Sequence, residues 1–127
     1  MTISREAGLA LAEKWTAMWN GDLALVDEIL APDFRIEFGA VVADPDPALI
    51  TDPAGMAAFV GTWRARRGDL TFALQAAQLV DEGDGVAFTW SVELPGTTRR
   101  SGIDLCRLVD GQIARVWSVT GERAFPA

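Results

Sequence analysis

Histidine and tyrosine are missing from this chain altogether, and cysteine occurs once, as Cys106. Without histidine there is no imidazole base, no Ser-His or Cys-His pair and no His-ligated metal. A lone thiol closes no internal disulfide and builds no thiolate zinc site, which fits a cytoplasmic protein. Long apolar runs are lacking too: none reaches the roughly 18 residues of a membrane span. The opening stretch MTISREAGLALAEKW has no basic segment followed by a long apolar one, so no signal peptide is expected. Positive charge is scarce: 11 basic residues face 18 acidic ones, for a net charge of −7. The one local basic cluster is Arg64, Arg66 and Arg67, reading as a solvated helix end, so no nucleic-acid partner is expected. Acid-base chemistry is left to Asp, Glu, the single Lys14 and Cys106. No metal and no cofactor are expected.

What is present is apolar. Half of the 127 residues are hydrophobic, enough for one core, and residues 1–127 read as a single domain. In SREAGLALAEKWTAMWN, Leu11, Trp15, Met18 and Trp19 recur at helical spacing, Ser4 is an N-cap and Asn20-Gly21 a stop. Asp22 caps a second helix, DLALVDEIL, which Pro32 ends. FRIEFGAVV (34–42) alternates as a short strand, and ADPDPALIT (43–51) is a proline-rich loop. Asp52-Pro53 opens a third helix, closed by Gly68. Four strands follow, LTFALQAAQLV (70–80), VAFTWSVEL (86–94), TRRSGIDLCRLV (98–109) and QIARVWSVT (112–120), with Asp110-Gly111 as a hairpin turn. The order α-α-β-α-β-β-β-β predicts an α+β fold with the helices on one face of a curved sheet.

Strict alternation sorts the faces. Val86, Phe88, Trp90, Val92 and Leu94 share one; so do Gly102, Asp104, Cys106 and Leu108. Ile103, Leu105 and Val109 point the other way, as do Ile113, Arg115, Trp117 and Val119 of the last strand. Both faces of the last strands are therefore apolar. Helices cover one, and a second copy of the chain is the simplest cover for the other. Asp104 is the exception on its face. A carboxylate among apolar neighbours costs free energy unless it is paired, hydrogen-bonded or protonated. It is either a structural acid held by a backbone N–H or Trp15, or the polar anchor of a ligand site.

Three stretches, WNGDLALVDEILAPDFRIEFG, VAFTWSVELPG and SGIDLCRLVDGQIARVW, resemble in order and spacing the nuclear transport factor 2-like superfamily, in particular its ketosteroid isomerase and SnoaL-like polyketide cyclase branches. The resemblance implies a cone: a strongly curved antiparallel, partly mixed sheet wrapped around three N-terminal helices, enclosing an apolar pocket. It also implies a homodimer through the outer sheet face. Asp104 falls on the isomerase's oxyanion-hole acid, a carboxylic acid kept neutral so that it donates a hydrogen bond. Trp15 stands where the isomerase has its tyrosine donor; its N–H donates but does not exchange a proton. Phe38 stands where the isomerase has its aspartate base, with Glu37 beside it. The carboxylate and arginine positions of limonene-epoxide-hydrolase-like members are matched by Trp90, Val92 and Ser118. The cyclases' acid-base aspartate falls near Ser118, and their histidines have no counterpart.

The expected pocket is lined by Trp15, Trp19, Phe38, Phe59, Trp63, Phe88, Trp90, Val116 and Ser118, around Asp104. Its ligand is a hydrophobic small molecule with a carbonyl or hydroxyl group. Trp15, Trp63 and Trp90 serve equally as core packing. Glu37 is the expected base if a bulge after Ile36 turns it inward; otherwise it is a solvated strand residue. Asp44 and Asp46 are the fallback, carried by a loop at the pocket mouth. Two functions stay open: an isomerase or cyclase with Asp104 and Trp15 stabilising an oxyanion, or a ligand-binding protein that has lost the base.

Overall fold

The structure is a computed structural model describing residues 2–42, 44–96 and 99–126. Helix α1 (Arg5–Trp19) starts at Ser4, whose hydroxyl accepts from the Ala7 N–H at 3.1 Å. Its inward stripe is Ala12, Trp15 and Met18. A 3-10 turn (Leu23–Leu25) and a single α-helical turn, α2 (Val26–Ile29), follow. Strand β1 (Leu30–Phe38), helix α3 (Pro53–Arg67) and strands β2 (Thr71–Val80), β3 (Gly85–Glu93), β4 (Arg100–Val109) and β5 (Gln112–Thr120) complete the chain. Asp52 caps α3 through Gly55 N–H at 2.7 Å, and Gly68 ends it at φ 78°. Thr98, where the sequence reading begins the fourth strand, and Ala43 of the loop lie outside the described residues.

The five strands form one sheet in the order β1-β5-β4-β3-β2. β1 runs parallel to β5 and all other pairs are antiparallel, so the curved sheet is mixed. α1 packs on β2 and β3, and α3 on β1, so the helices share one face. Between helices and sheet lies the core, from Met18, Met56 and Val60 to Val86, Cys106 and Val116. The β4–β5 hairpin turns at Asp110 (φ 51°) and Gly111 (φ 77°). Positive φ at both central residues is the geometry that an Asp-Gly pair favours.

Several details depart from the sequence reading, among them that the first strand ends at Phe38 and not at Val42. The second helix is shorter than DLALVDEIL, Asp22 makes no side-chain cap, and Leu30 already belongs to β1. Pro32 thus does not end a helix but sits inside β1. There the pairing jumps from Leu30–Ile113 to Arg35–Arg115, an irregularity that leaves the missing proline N–H without a ladder partner to fail. In β5, a bulge at Ala114 breaks the alternation: Arg107 pairs with Arg115 but Leu108 with Ile113. Ile113 therefore turns inward and is fully buried, instead of facing outward with Trp117 and Val119.

Candidate functional site

A cavity of about 330 Å³ opens between α1, α3 and the inner faces of β3, β4 and β5. Its floor is buried: Trp15 is 2% exposed, Phe88 2% and Asp104 3%. Its rim is open, with Val41, Arg67, Arg100 and Thr120 exposed. Trp19 stands in the middle of the aromatic wall. Its ring centroid is 5.4 Å from that of Trp63, 5.5 Å from Phe72, 6.2 Å from Phe59 and 6.5 Å from Phe38. The edge-to-face contacts with Trp63, Phe59 and Phe38 suit the ring quadrupoles. Phe38 and Phe59 stack at 5.6 Å.

The end of α1 is tied down where it delivers Trp19. The Asn20 side chain pairs with β2 as a strand residue would: its amide donates to the Phe72 carbonyl at 2.9 Å, and its oxygen accepts from the Phe72 N–H at 2.7 Å. Arg64 donates to the carbonyls of Trp19 (2.9 Å) and Leu70 (3.1 Å). Arg64 is thus a staple rather than a solvated helix end.

Asp104 sits on β4 between Phe88 of β3 and Ser118 of β5. Burial pushes its pKa above the usual carboxylate value, because an ionised group there loses its hydration. The Ser118 hydroxyl and the indoles of Trp90 and Trp15 face the carboxyl and pull the other way. Of these, Trp15 makes a formed hydrogen bond, its Nε1–H donating to Asp104 Oδ2 at 2.9 Å. Asp104 Oδ1 and Trp90 Nε1 are both buried, and neither has a partner among the described residues. The Trp15 bond decides where a proton on this acid sits. Oδ2 has to accept from the indole, so the carbonyl character lies there and Oδ1 carries the hydrogen. One end of the apolar cavity thus holds a buried carboxyl oxygen and an indole N–H, neither with a hydrogen-bond partner among the described residues.

Gly102 makes room for this arrangement. A Cβ at residue 102 would collide with the Trp90 ring. The glycine lets the Trp90 ring lie against β4, two residues from Asp104.

The expected lining is largely brought together: Trp15, Trp19, Phe38, Phe59, Trp63, Phe88, Trp90 and Ser118 all face the cavity with Asp104. Val116 does not; it is fully buried in the core, outside the lining. Glu37 does not either. Arg35 to Phe38 pair without a break with Arg115 to Ser118, so the bulge after Ile36 that would turn Glu37 inward is absent. Its carboxylate accepts instead from Arg115 Nη2 at 3.0 Å, half exposed on the other face. Asp44 is paired with Arg66, and Asp46 accepts from the Ala48 N–H at 3.0 Å; neither lines the cavity. Asp104 is therefore the one carboxylate lining the cavity among the described residues.

Phe72 and Arg100 line it without having been singled out, and Arg67, read as part of a solvated helix end, lines it too. Signals for all three exist in the sequence. Phe72 alternates with Leu74, Arg67 is one helical turn beyond Trp63, and Arg100 shares the strand face of Gly102 and Asp104. Cys106, fully buried, has its thiol pushed well up by burial and by the neighbouring Asp104 charge, so it is inert. Among the described residues, no group of three acidic or thiol side chains is placed to hold a metal, and no helix is long and apolar enough to cross a membrane.

Known structures of the same shape carry related names. A candidate ketosteroid isomerase from Kribbella flavida DSM 17836 is 27% identical, with a TM-score of 0.71, covering 97% of this chain and 84% of its own. A candidate polyketide cyclase from Acidithiobacillus ferrooxidans is 22% identical, with a TM-score of 0.69, covering 96% and 92%. A de novo designed protein with a curved β-sheet, 18% identical, reaches a TM-score of 0.71 over 94% and 89%. A fold that a designed sequence adopts does not by itself carry an activity. No curated protein matches the sequence. The SnoaL-like domain model matches residues 12–116, most of the chain and all the cavity-lining residues except Ser118 and Thr120. The chain therefore belongs to the SnoaL-like domain family, in the nuclear transport factor 2-like superfamily.

Proposed function

We propose that the protein is a cyclase-type enzyme for a flat, hydrophobic carbonyl compound, with Asp104 as its acid. The observation that carries this is a buried carboxyl, its pKa raised by burial, whose Oδ1 lacks a partner among the described residues at the closed end of an aromatic cavity. A carbonyl oxygen placed there accepts from Asp104 Oδ1–H and Trp90 Nε1–H together. Both hydrogen bonds strengthen as negative charge grows on that oxygen, which is the condition for catalysis rather than mere binding.

The chemistry follows from how few groups there are. Isomerisation of a double bond needs a base to take a proton from carbon while the oxygen is being stabilised. Glu37, Asp44 and Asp46 do not line the cavity, so Asp104 would have to take the proton from carbon while its own proton stabilises the oxygen. Intramolecular addition makes a smaller demand. An enol carbon of the ligand attacks the activated carbonyl, a carbon–carbon bond forms, the carbonyl π pair moves to oxygen, and that oxygen takes the Oδ1 proton. The enol O–H gives up its proton as its ketone forms, and that proton returns to the Asp104 carboxylate. Substrate and product have the same composition, so no co-reactant is consumed. Trp15 holds Oδ2 throughout and exchanges nothing.

Turnover of a polyketide-like triketone, followed by the loss of enol absorbance, tests this. Asp104→Asn keeps the shape but removes the acid, and a loss of about 100-fold or more is expected. An unchanged rate overturns the assignment. A second reading, a ligand-binding or accessory protein that has lost its base, is favoured by the missing second acid-base group. Tight ketone binding with no turnover on triketones or β,γ-unsaturated ketones would establish it. In either case the proposal includes a homodimer through the outer face of β4 and β5, and the single, buried Cys106 fits a reducing cytoplasm.

A further inference from the structure

The far end of the same cavity has the opposite electrostatic character from its floor. Two guanidinium groups line the rim, Arg67 from the end of α3 and Arg100 from the start of β4. The chain carries a net charge of −7, and Lys14, Arg66, Arg99 and Arg115 each have a carboxylate partner. Arg67 and Arg100 have none among the described residues; Arg5, Arg35, Arg64, Arg107 and Arg123 have none either, but of these unpaired cations only Arg67 and Arg100 line the cavity. A helix C-terminus accounts for a basic residue at Arg67, but not for Arg100, which comes from another element. Arg67 is also held in place: its guanidinium lies 4.5 Å from the Trp63 ring centroid, and its Nη1 donates to the Trp63 carbonyl at 3.3 Å. Trp63 is itself cavity wall, so the cation is stacked on the surface a ligand would touch. Partial burial, and then the adjacent Arg66 charge, lower the Arg67 pKa; an anion beside it would offset the Arg66 repulsion.

We propose that the ligand carries a carboxylate at the end opposite its carbonyl, bound at the rim by Arg67 and Arg100. This rests on Asp104 being the carbonyl anchor and adds the substrate class to that reading. The geometry sets a length. Arg100 and Asp104 share a strand face four residues apart in an unbroken pairing with β3. At the usual rise per residue of a β-strand, that separation is about 13 Å along β4. Allowing for the side chains, the two polar groups of the ligand are roughly 10 Å apart on a rigid body. A carboxylate suits the pair because the planar guanidinium fork offers it two parallel N–H donors. The rim also orients the ligand, since the reversed pose would bring its carboxylate to a buried acid.

Trp fluorescence reads binding directly, because Trp15, Trp19, Trp63 and Trp90 line the cavity. The probes are 6-acetyl-2-naphthoate, its methyl ester and 2-acetylnaphthalene. The wild type is expected to bind the carboxylate at least about fivefold more tightly than the ester, with the preference shrinking as salt is added. Arg67→Gln and Arg100→Gln should each lower the carboxylate-to-ester affinity ratio, and the double variant should bring it to about 1. Asp104→Asn should weaken all three probes together and leave the ratio intact. Equal binding of carboxylate and ester by the wild type, or a ratio that survives the double variant, overturns the rim proposal alone. Asp104→Asn without effect on any probe overturns the anchor alone. Failure of all three probes to bind the wild type overturns both.

Discussion

Asp104 is the one carboxylate lining the cavity among the described residues, and its ionisation couples to stability. Its folded pKa is raised above the ordinary value by burial. The unfolded chain binds its proton less tightly than the folded one, so the contribution is fully present below the unfolded pKa of about 3.9. It is lost as pH rises through the folded value. Asp104→Asn removes this dependence. Measured by denaturant unfolding, the stability of the wild type relative to that variant should fall steadily above about pH 4 and level off once the folded carboxyl has ionised. A flat difference would mean an ordinary Asp. Trp15 acts in the opposite sense, its N–H favouring the ionised form, so in Trp15→Phe the fall should begin at the same pH and level off at a higher one. At this scale the sequence was informative about Asp104, because one acid in an otherwise apolar strand face has to be explained. It was silent on Trp90 as a donor, since an indole in an apolar alternation looks the same whether its N–H is used or not.

The elements show where periodicity stops being a guide. β3 and the first part of β4 keep strict alternation, so the inner residues from Val86 to Val92 and from Gly102 to Cys106 are legible one by one. β5 does not, because the bulge at Ala114 inserts a residue and turns Ile113 inward; nothing in QIARVWSVT marks the place. The first strand began four residues earlier than its alternation suggested, since Leu30 and Ala31 are apolar in helix and strand alike. Glu37 failed as a base for the same kind of reason in reverse: the strand stayed regular where a catalytic reading needed it to break. The most consequential junction is that of α1 with β2. Asn20→Ala deletes both bonds to the Phe72 backbone and leaves an N–H and a C=O at the sheet edge to find water. With two hydrogen bonds lost at an exposed site, urea unfolding should show a stability loss of about 1 to about 2 kcal/mol. Because Trp19 is next in sequence and Phe72 packs on its ring, the same variant should weaken binding of 2-acetylnaphthalene. Asp52→Ala, which removes a cap at the far end of α3, serves as the control: comparable destabilisation with binding kept.

For the whole molecule, the helices cover one face of the sheet and leave the other open over β4 and β5. Ile103, Leu105, Val109, Trp117 and Val119 remain 38–52% exposed there. Four of them are contiguous: Leu105 is directly opposite Trp117 in the register, and Ile103 opposite Val119, while Val109 lies beyond the Arg107–Arg115 pair. Cross-strand apolar pairs of this kind support the sheet itself, so some of the pattern belongs to the isolated fold. The patch nevertheless leaves aliphatic side chains and an indole facing water in a chain that carries 18 acidic residues. Arg115, beside Trp117 with its guanidinium 5.2 Å from the ring centroid, supplies with Glu37 the polar rim that such interfaces carry. A second copy related by a two-fold axis would bring the same patch against itself and bury both. Light scattering at micromolar concentration should give twice the chain mass for the wild type. Leu105→Glu places a charge at the centre of the patch and should give a folded monomer, with the cavity and its ketone binding unchanged, since residue 105 faces away from Asp104. A monomeric wild type would show that the outer face is stable in water by its cross-strand pairs alone.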